Sequence, residues 1–168
     1  MSSDALRLSV DTSRTSATTH RVIASADISA SPAEAYRTIT DYRVGHPAIL
    51  PSKYFRNLRV VEGGYGAGTV ITFDIVAFGR TIVARSRITE PVPGRVLVES
   101  DTEKPLVTTF TVDPNIDGTA RVTFDTTFQT RPGLLGRLEG WMTRGFLKRV
   151  YAAELDQFDE YVRGSSSS

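Results

Sequence analysis

Few side chains in this sequence are suited to chemistry. The chain has two histidines, His20 and His46, and no cysteine. A zinc site needs several nitrogen and sulfur ligands at close spacing, and neither histidine has a second one nearby. Thiolate nucleophiles and disulfides are excluded, and no serine lies in the G-x-S-x-G turn of hydrolases. We therefore expect no metal site and no bound cofactor, and the sequence does not support nucleophilic catalysis.

His46 is the first candidate for acid–base chemistry, and Tyr151 is the second. His46 lies in the segment V-G-H-P-A-I-L-P, which we expect near the mouth of a cavity. An imidazole there could act as a general base or donate a hydrogen bond to a ligand carbonyl. The phenol of Tyr151 could also reach a ligand. The simpler interpretations are a surface histidine and a core tyrosine, so the catalytic residues stay undetermined.

Charge and composition exclude several classes of function. The net charge of +1 gives no electrostatic basis for binding nucleic acid. No apolar run approaches the roughly 20 residues that cross a bilayer, so we expect no integral membrane segment. No signal peptide is recognisable, and the absence of cysteine favours a reducing compartment. We expect a cytoplasmic protein, and the oligomeric state cannot be derived from the sequence.

Alternating apolar residues predict a sheet with one buried face. Turn signals such as GGYGAG and EPVPGR separate the strands, and such short turns make neighbouring strands antiparallel. The predicted strands are 20–28, 56–62, 68–78, 80–90, 95–101, 105–113 and 119–129. We expect the apolar face and one helix to line a ligand cavity through Ile71, Phe73, Ile75, Ile82, Ala84, Phe110, Val122, Phe124, Leu138 and Met142.

Helices are predicted on both sides of the strand-rich region. Ser31 at the N-cap, Pro32 at the first helical position and Glu34 three residues after the cap predict a helix. Prolines limit residues 41–50 to a short second helix or an irregular loop. Apolar residues at helical spacing predict a long helix over 134–162.

The long helix carries two apolar faces. At about 100° per residue, the apolar residues of 134–145 lie on a different side of the helix, rotated by well over 90° from those of 147–162. We expect the helix to break between Gly140 and Gly145, so that its first part forms a hinged lid over the cavity. The alternative is a straight helix whose first half is buried on both sides by loops.

The first half of this helix is also basic and contains Trp141. A basic amphipathic helix with a tryptophan can lie on a membrane. Glu139 interrupts the charge, however, and the apolar residues are expected in the core. We therefore favour a helix that packs on the sheet and turns a basic face to water.

The order of these elements resembles that of the SRPBCC superfamily, which includes START domains and polyketide cyclase/dehydrase-like proteins. S-A-S-P-A-E-A-Y resembles the entry into the first helix of that family, and T-D-Y followed by I-L-P resembles its second helix. G-G-Y-G-A-G-T and E-P-V-P-G-R resemble two of its turns. The resemblance covers residues 18–163 and leaves 1–17 and 164–168 as flexible tails. It implies an α+β helix-grip fold, in which a seven-stranded curved antiparallel sheet wraps around a long C-terminal helix, with two short helices after strand one.

The resemblance implies an internal cavity, and the function expected from it is binding or transport of an apolar small molecule such as a lipid, polyketide or quinone. The predicted lining has few ionisable groups, which favours binding over chemistry. The alternative is a polyketide cyclase, aromatase or dehydratase acting in the same cavity. Two or more ionisable groups converging there would favour the enzyme. An exposed apolar patch would instead favour an interaction role.

Overall fold

The structure is a computed structural model that describes residues 19–165. The predicted tail over 1–17 lies outside the described residues, as do the last three residues. The described part of the chain contains seven strands and three helices. In chain order they are β1 (Thr19–Ile28), α1 (Pro32–Thr40), α2 (Gly45–Ile49), β2 (Phe55–Glu62), β3 (Val70–Ala77), β4 (Arg80–Val92), β5 (Val96–Asp101), β6 (Leu106–Pro114), β7 (Ala120–Gln129) and α3 (Leu134–Ser165).

The seven strands form one antiparallel sheet in the order β1-β7-β6-β5-β4-β3-β2. Strands β2 to β7 follow one another as a meander, and β1 pairs with β7 at the far edge. Register shifts interrupt β2 twice and the β4–β5 pairing once, and such bulges bend the strand that contains them. The predicted helix-grip architecture, an open curved sheet with a long C-terminal helix, is confirmed.

The concave face of the sheet is apolar and packs against the second half of α3. Leu97 of β5 faces Phe110 of β6, and both are buried. From α3, Leu155 and Phe158 enter the same core. This arrangement follows from the period of two along a strand, which places every second side chain on the buried face.

The first turns of α1 and α2 position the segment that carries His46. The side chain of Ser31 accepts a hydrogen bond from the backbone N–H of Glu34 at 3.3 Å, as the capping pattern predicts. Asp41 ends α1, and its backbone carbonyl accepts a hydrogen bond from the N–H of His46 at 2.7 Å. Residues 45–49 then form a short helix, which decides between the two sequence-based alternatives for this segment.

Helix α3 is continuous, so the predicted break is wrong. It also continues to Ser165, into the predicted C-terminal tail. The alternative is wrong as well, because the apolar residues of its first half are exposed instead of being covered by loops. Gly140 has a different role from the one expected: a Cβ there would overlap the buried imidazole of His20 in β1. Glycine lets the helix approach β1 closely, and it does not interrupt the helix.

Although α3 is 32 residues long, it is too polar to cross a bilayer. The other helices within residues 19–165 are too short to do so.

Candidate functional site

A cavity lies between the concave face of the sheet, α2 and the second half of α3. Its volume is about 90 Å³. Pockets for drug-sized ligands hold roughly 300–1,000 Å³, so a larger ligand requires lining side chains to move apart. The lining consists of His46, Leu50, Phe55, Leu58, Ile71, Phe73, Ile75, Ala84, Ser86, Glu99, Asp101, Leu106, Thr108, Phe110, Leu147, Tyr151 and Glu154.

Half of the ten residues predicted to line the cavity do so. These five are Ile71, Phe73, Ile75, Ala84 and Phe110, all on strands. The two catalytic candidates, His46 and Tyr151, lie in the same lining. The structure thus brings seven sequence-predicted residues together around one cavity, while their contact with a ligand stays a prediction.

The other five predicted residues lie elsewhere. Val122 and Phe124 are fully buried in the packed core, where Phe124 contacts the ring of Phe110 edge to face at 4.9 Å. Ile82 lies near the beginning of β4, is 38% exposed and is not part of the cavity lining. Leu138 and Met142 lie on the outer side of α3, since this part of the helix turns Gly140 toward β1.

His46 lies inside the cavity and is only 3% exposed, so the surface interpretation is wrong. Its Nδ1 is 2.8 Å from the backbone carbonyl oxygen of Ile39. A carbonyl only accepts hydrogen bonds, so Nδ1 carries a hydrogen and Nε2 is the atom available for chemistry. Nε2 lies 3.5 Å from Oε1 of Glu99. The second ring nitrogen of His46 thus faces a carboxylate oxygen at the outer limit of hydrogen-bond distance.

Tyr42 holds Glu99 in place beside His46. Its hydroxyl donates to Oε1 of Glu99 at 2.5 Å, and its ring stacks on the imidazole with the centroids 4.4 Å apart. Burial raises the pKa of Tyr42 well above its ordinary value, and the negative charge of Glu99 raises it further. The phenol therefore stays protonated and remains a donor. Both partners of the pair are thus fixed by buried groups before any ligand arrives.

Glu154 of α3 is another carboxyl residue in the lining, besides Glu99 and Asp101, and it is 2% exposed. Within residues 19–165 no group donates a hydrogen bond to it or forms an ion pair with it. Burial raises the pKa of Glu154 well above its ordinary value, and the nearby charge of Glu99 raises it further. Both effects favour the neutral carboxylic acid, which can donate a hydrogen bond or a proton into the cavity.

Tyr151 is held by a chain of hydroxyl groups. Its oxygen contacts Oγ1 of Thr126, which lies 2.8 Å from Oγ1 of Thr108. Burial raises the pKa of Tyr151, so the phenol stays protonated. Tyr151 is therefore suited to donate a hydrogen bond and poorly suited to act as a base.

Sequence reasoning missed Glu99 and Glu154, although both carry a positional signal. Glu99 lies two residues after Leu97, so the period of a strand places the two side chains on the same face. Glu154 lies three residues after Tyr151 and four before Phe158, on the buried side of a helix. Both were overlooked because carboxyl groups are rarely buried, and apolar residues dominate such patterns.

A wide groove adjoins the cavity between the β3–β4 turn and the first half of α3. We call it the mouth groove; its volume is about 1050 Å³. It is lined by Lys53, Tyr54, Val76, Phe78, Gly79, Trp141, Met142, Arg144, Gly145, Phe146, Lys148 and Arg149.

An aromatic partition separates the mouth groove from the cavity. Tyr54 and Phe146 line the groove, while their chain neighbours Phe55 and Leu147 line the cavity. The ring of Phe146 contacts the rings of Tyr54 and Phe78, each with the centroids 5.6 Å apart. Movement of these rings would join the two spaces.

Comparison with known proteins adds evidence independent of this geometry. Residues 19–163 match the family described as polyketide cyclase / dehydrase and lipid transport. No curated protein sequence matches the chain.

Several solved structures are similar over most of the chain. The KanY protein, solved by NMR, is 28% identical with a TM-score of 0.74, covering 84% of this chain and 95% of its own. The Zhui aromatase/cyclase from Streptomyces sp. R1128 is 14% identical with a TM-score of 0.69, covering 86% and 94%. The major latex-like protein 151 of Panax ginseng is 13% identical with a TM-score of 0.60, covering 85% and 97%. The last two share the fold alone. Because the family match spans nearly all of the described residues, this chain belongs to the polyketide cyclase / dehydrase and lipid transport family.

Proposed function

We propose that this protein binds an apolar small molecule, such as a lipid, polyketide or quinone, that carries a carbonyl or hydroxyl group at one end. The observation that supports the proposal most is the buried carboxyl of Glu154, which faces the cavity without a hydrogen-bond partner in the described residues. A carboxyl group that opens into a largely apolar cavity can pair with a ligand oxygen there, and such a hydrogen bond favours binding.

The apolar body of the ligand would lie along the sheet. Ile71, Phe73 and Phe110 provide a concave apolar surface beside the polar corner. Membership of a family described by lipid transport and polyketide chemistry supports an apolar ligand in general. The cytoplasm is the compartment that we propose for this binding, given the cysteine-free sequence.

A matched pair of probes tests the hydrogen bond. β-Naphthol and naphthalene have the same ring system and differ by one hydroxyl group. We expect β-naphthol to bind the wild-type protein about threefold to tenfold more tightly, as one added hydrogen bond predicts. In Glu154→Leu the two dissociation constants, measured by NMR titration, should become similar.

Glu160→Leu is the control, since Glu160 lies on the same helix but is exposed. It should keep the difference between the two probes. Equal binding of both probes to the wild-type protein would overturn the proposal, as would an unchanged difference in Glu154→Leu. Mass spectrometry of the freshly purified protein under native conditions would then identify any molecule retained from the cell.

A second candidate function is acid–base catalysis of dehydration, and the His46–Glu99 pair favours it. In its imidazole form, Nε2 of His46 would remove the proton next to a ketone. Glu154 would protonate the leaving hydroxyl group, so that water departs and a carbon–carbon double bond forms. Ionisable groups thus converge in the cavity, which was the condition stated above for an enzyme.

The aldol adduct of benzaldehyde and acetone is a suitable probe, because its dehydration product absorbs ultraviolet light. If the site is catalytic, the protein should accelerate this dehydration, and His46→Gln should lower the rate by about 10²–10⁴-fold. An equal rate with and without protein would exclude the reaction for this probe class. The binding proposal is independent of that result, since it depends only on the two naphthalene probes.

A further inference from the structure

The first half of α3 turns an apolar stripe to solvent. The exposed fractions are 81% for Leu134, 76% for Leu135, 53% for Leu138, 66% for Trp141 and 38% for Met142. At about 100° per residue, these five side chains lie within roughly 120° of one another. The buried Gly136 and Gly140 lie on the opposite side, against the fold. We call the five exposed residues the outer stripe.

The exposure of the outer stripe explains why the sequence of α3 predicts two apolar faces. In a continuous helix, the face of the second half is buried in the core, and the face of the first half points away from it. A contiguous patch of exposed leucine and tryptophan is unusual on a soluble monomer and marks a contact surface. Such an exposed apolar patch is expected of a protein with an interaction role.

Basic residues flank the outer stripe. Arg137, Arg144 and Lys148 form a row along one side of it, by the same helical geometry. Residues 131–149 contain five basic side chains and one acidic side chain, a net charge of +4. The whole chain has a net charge of +1, so the remaining residues together carry −3. The positive charge of the protein is therefore concentrated around this surface.

The β3–β4 turn extends the same surface. Phe78 at its tip is exposed and packs against Phe146 of α3 with the ring centroids 5.6 Å apart. Its φ of 52° is in the left-handed region, which is uncommon for a bulky residue and indicates a constrained turn. The mouth groove opens between this turn and the outer stripe. The basic and apolar surface thus borders the mouth groove, next to the cavity.

We propose that this surface docks on an anionic lipid bilayer. The outer stripe and Phe78 would enter the interface between headgroups and acyl chains, and the flanking arginine and lysine side chains would contact lipid phosphates. An apolar ligand could then pass between the bilayer and the mouth groove without crossing water. The docking itself does not depend on the identity of the ligand.

Charge favours a bilayer over two other possible occupants of this surface, a second copy of the chain and its N-terminal segment. A second copy would bring one +4 surface against another, which is unfavourable. The N-terminal segment, residues 1–18, has two aspartates and two arginines and so offers no opposite charge. An anionic bilayer complements both the charge and the apolar stripe.

Trp141 is the only tryptophan, so its fluorescence reports directly on this surface. The full chain would be mixed with vesicles of phosphatidylcholine alone or with about one third phosphatidylglycerol. We expect a blue shift of the emission and co-sedimentation with the anionic vesicles, and both effects should weaken at high salt. Neutral vesicles should give little of either.

Charge reversal at two matched pairs of arginine and lysine residues tests which surface of the protein binds the vesicles. Arg144→Glu with Lys148→Glu should weaken binding to the anionic vesicles by about tenfold or more. Arg85→Glu with Arg87→Glu makes the same change in charge at two exposed positions of β4, outside the mouth groove. That control should lose much less affinity. Thermal unfolding of both variants would confirm that each is folded.

Three results would overturn the proposal. The first is no binding to anionic vesicles at low salt, which would direct attention to an acidic protein partner instead. The second is an equal loss of affinity in the two charge-reversed variants, which would show attraction without a defined surface. The third is protection of Trp141 from iodide in the free protein, because a second copy or another part of the chain would then cover the stripe.

Discussion

The two halves of α3 are both rich in apolar residues but bury them to different extents. In the second half, Leu155 and Phe158 are fully enclosed by the core. Gln157 also donates to the backbone carbonyls of Ala48 at 2.8 Å and Leu50 at 3.1 Å, which ties the helix to the end of α2. In the first half the apolar residues are exposed, and the contacts with β1 are made through glycine.

The two halves of this helix therefore serve different purposes: the second stabilises the fold, and the first is available for contacts with other molecules. The second half supplies the core, and it also supplies Tyr151 and Glu154 to the cavity. The first half borders the mouth groove and can change without loss of the core. We therefore expect substitutions in the second half to affect folding and the cavity, and substitutions in the outer stripe to affect surface contacts.

The largest contrast is expected between Phe158→Ala and Trp141→Ala. Truncation of a buried phenylalanine costs about 3–5 kcal/mol of unfolding free energy, because it removes buried area and leaves a void. Truncation of an exposed tryptophan should change that free energy by about 0.5 kcal/mol or less. Urea unfolding followed by circular dichroism measures both. Similar losses in the two variants would show that the first half contributes to the core.

The next effect is a pH dependence caused by Glu154. Burial raises its pKa in the folded protein, so the folded state holds this proton more tightly than the unfolded state does. The associated stability is complete below the unfolded pKa of about 4.3 and is lost as the pH rises through the folded pKa. Glu154→Gln cannot ionise. Above pH 4.3 or so, its stability relative to wild type should therefore increase by up to about 1.4 kcal/mol per pH unit.

Urea unfolding at a series of pH values between 4 and 8 or so measures this difference. Glu160→Gln is the control, since Glu160 is exposed on the same helix. Its stability should follow that of the wild-type protein across the range. Parallel curves for Glu154→Gln and wild type would mean that Glu154 is ionised in the folded state.

A smaller loss is expected for Gly140→Ala. Its Cβ would overlap the imidazole of His20, which is buried and stacked on Phe128 with the ring centroids 5.1 Å apart. Overpacking of this kind costs about 1–3 kcal/mol, although alanine itself favours a helix. Thermal or urea unfolding would measure the loss. A stabilised variant would place the helix farther from β1 than the structure does.

The smallest effect is expected for Gly145→Ala, and its sign is opposite. No atom lies within 4 Å of a Cβ at this position, so nothing opposes the better helix propensity of alanine. The gain should be at most about 1 kcal/mol. A loss of stability in the same unfolding experiment would indicate a local departure from the continuous helix.

The strands and the beginning of α1 could be predicted because they depend on neighbours in the sequence. Alternation in β3 places Ile71, Phe73 and Ile75 on one face, and the structure has all three in the lining of the cavity. The cap of Ser31 likewise involves residues only three positions apart. The predicted cavity residues are wrong where the packing of distant elements decides, as for Ile82, which is partly exposed and outside the cavity lining.

The sequence by itself determined the period and the direction of each apolar pattern, including the different faces of the two halves of α3. It did not determine which side of α3 meets the sheet. That choice depends on contacts between residues far apart in the chain, such as the burial of Leu155 and Phe158 in the core and the close approach of Gly140 to His20. The tertiary structure also decided the chemistry of the site. Glu99 and Glu154 come from a strand and a helix more than 50 residues apart, and only packing buries them together and raises the pKa of Glu154.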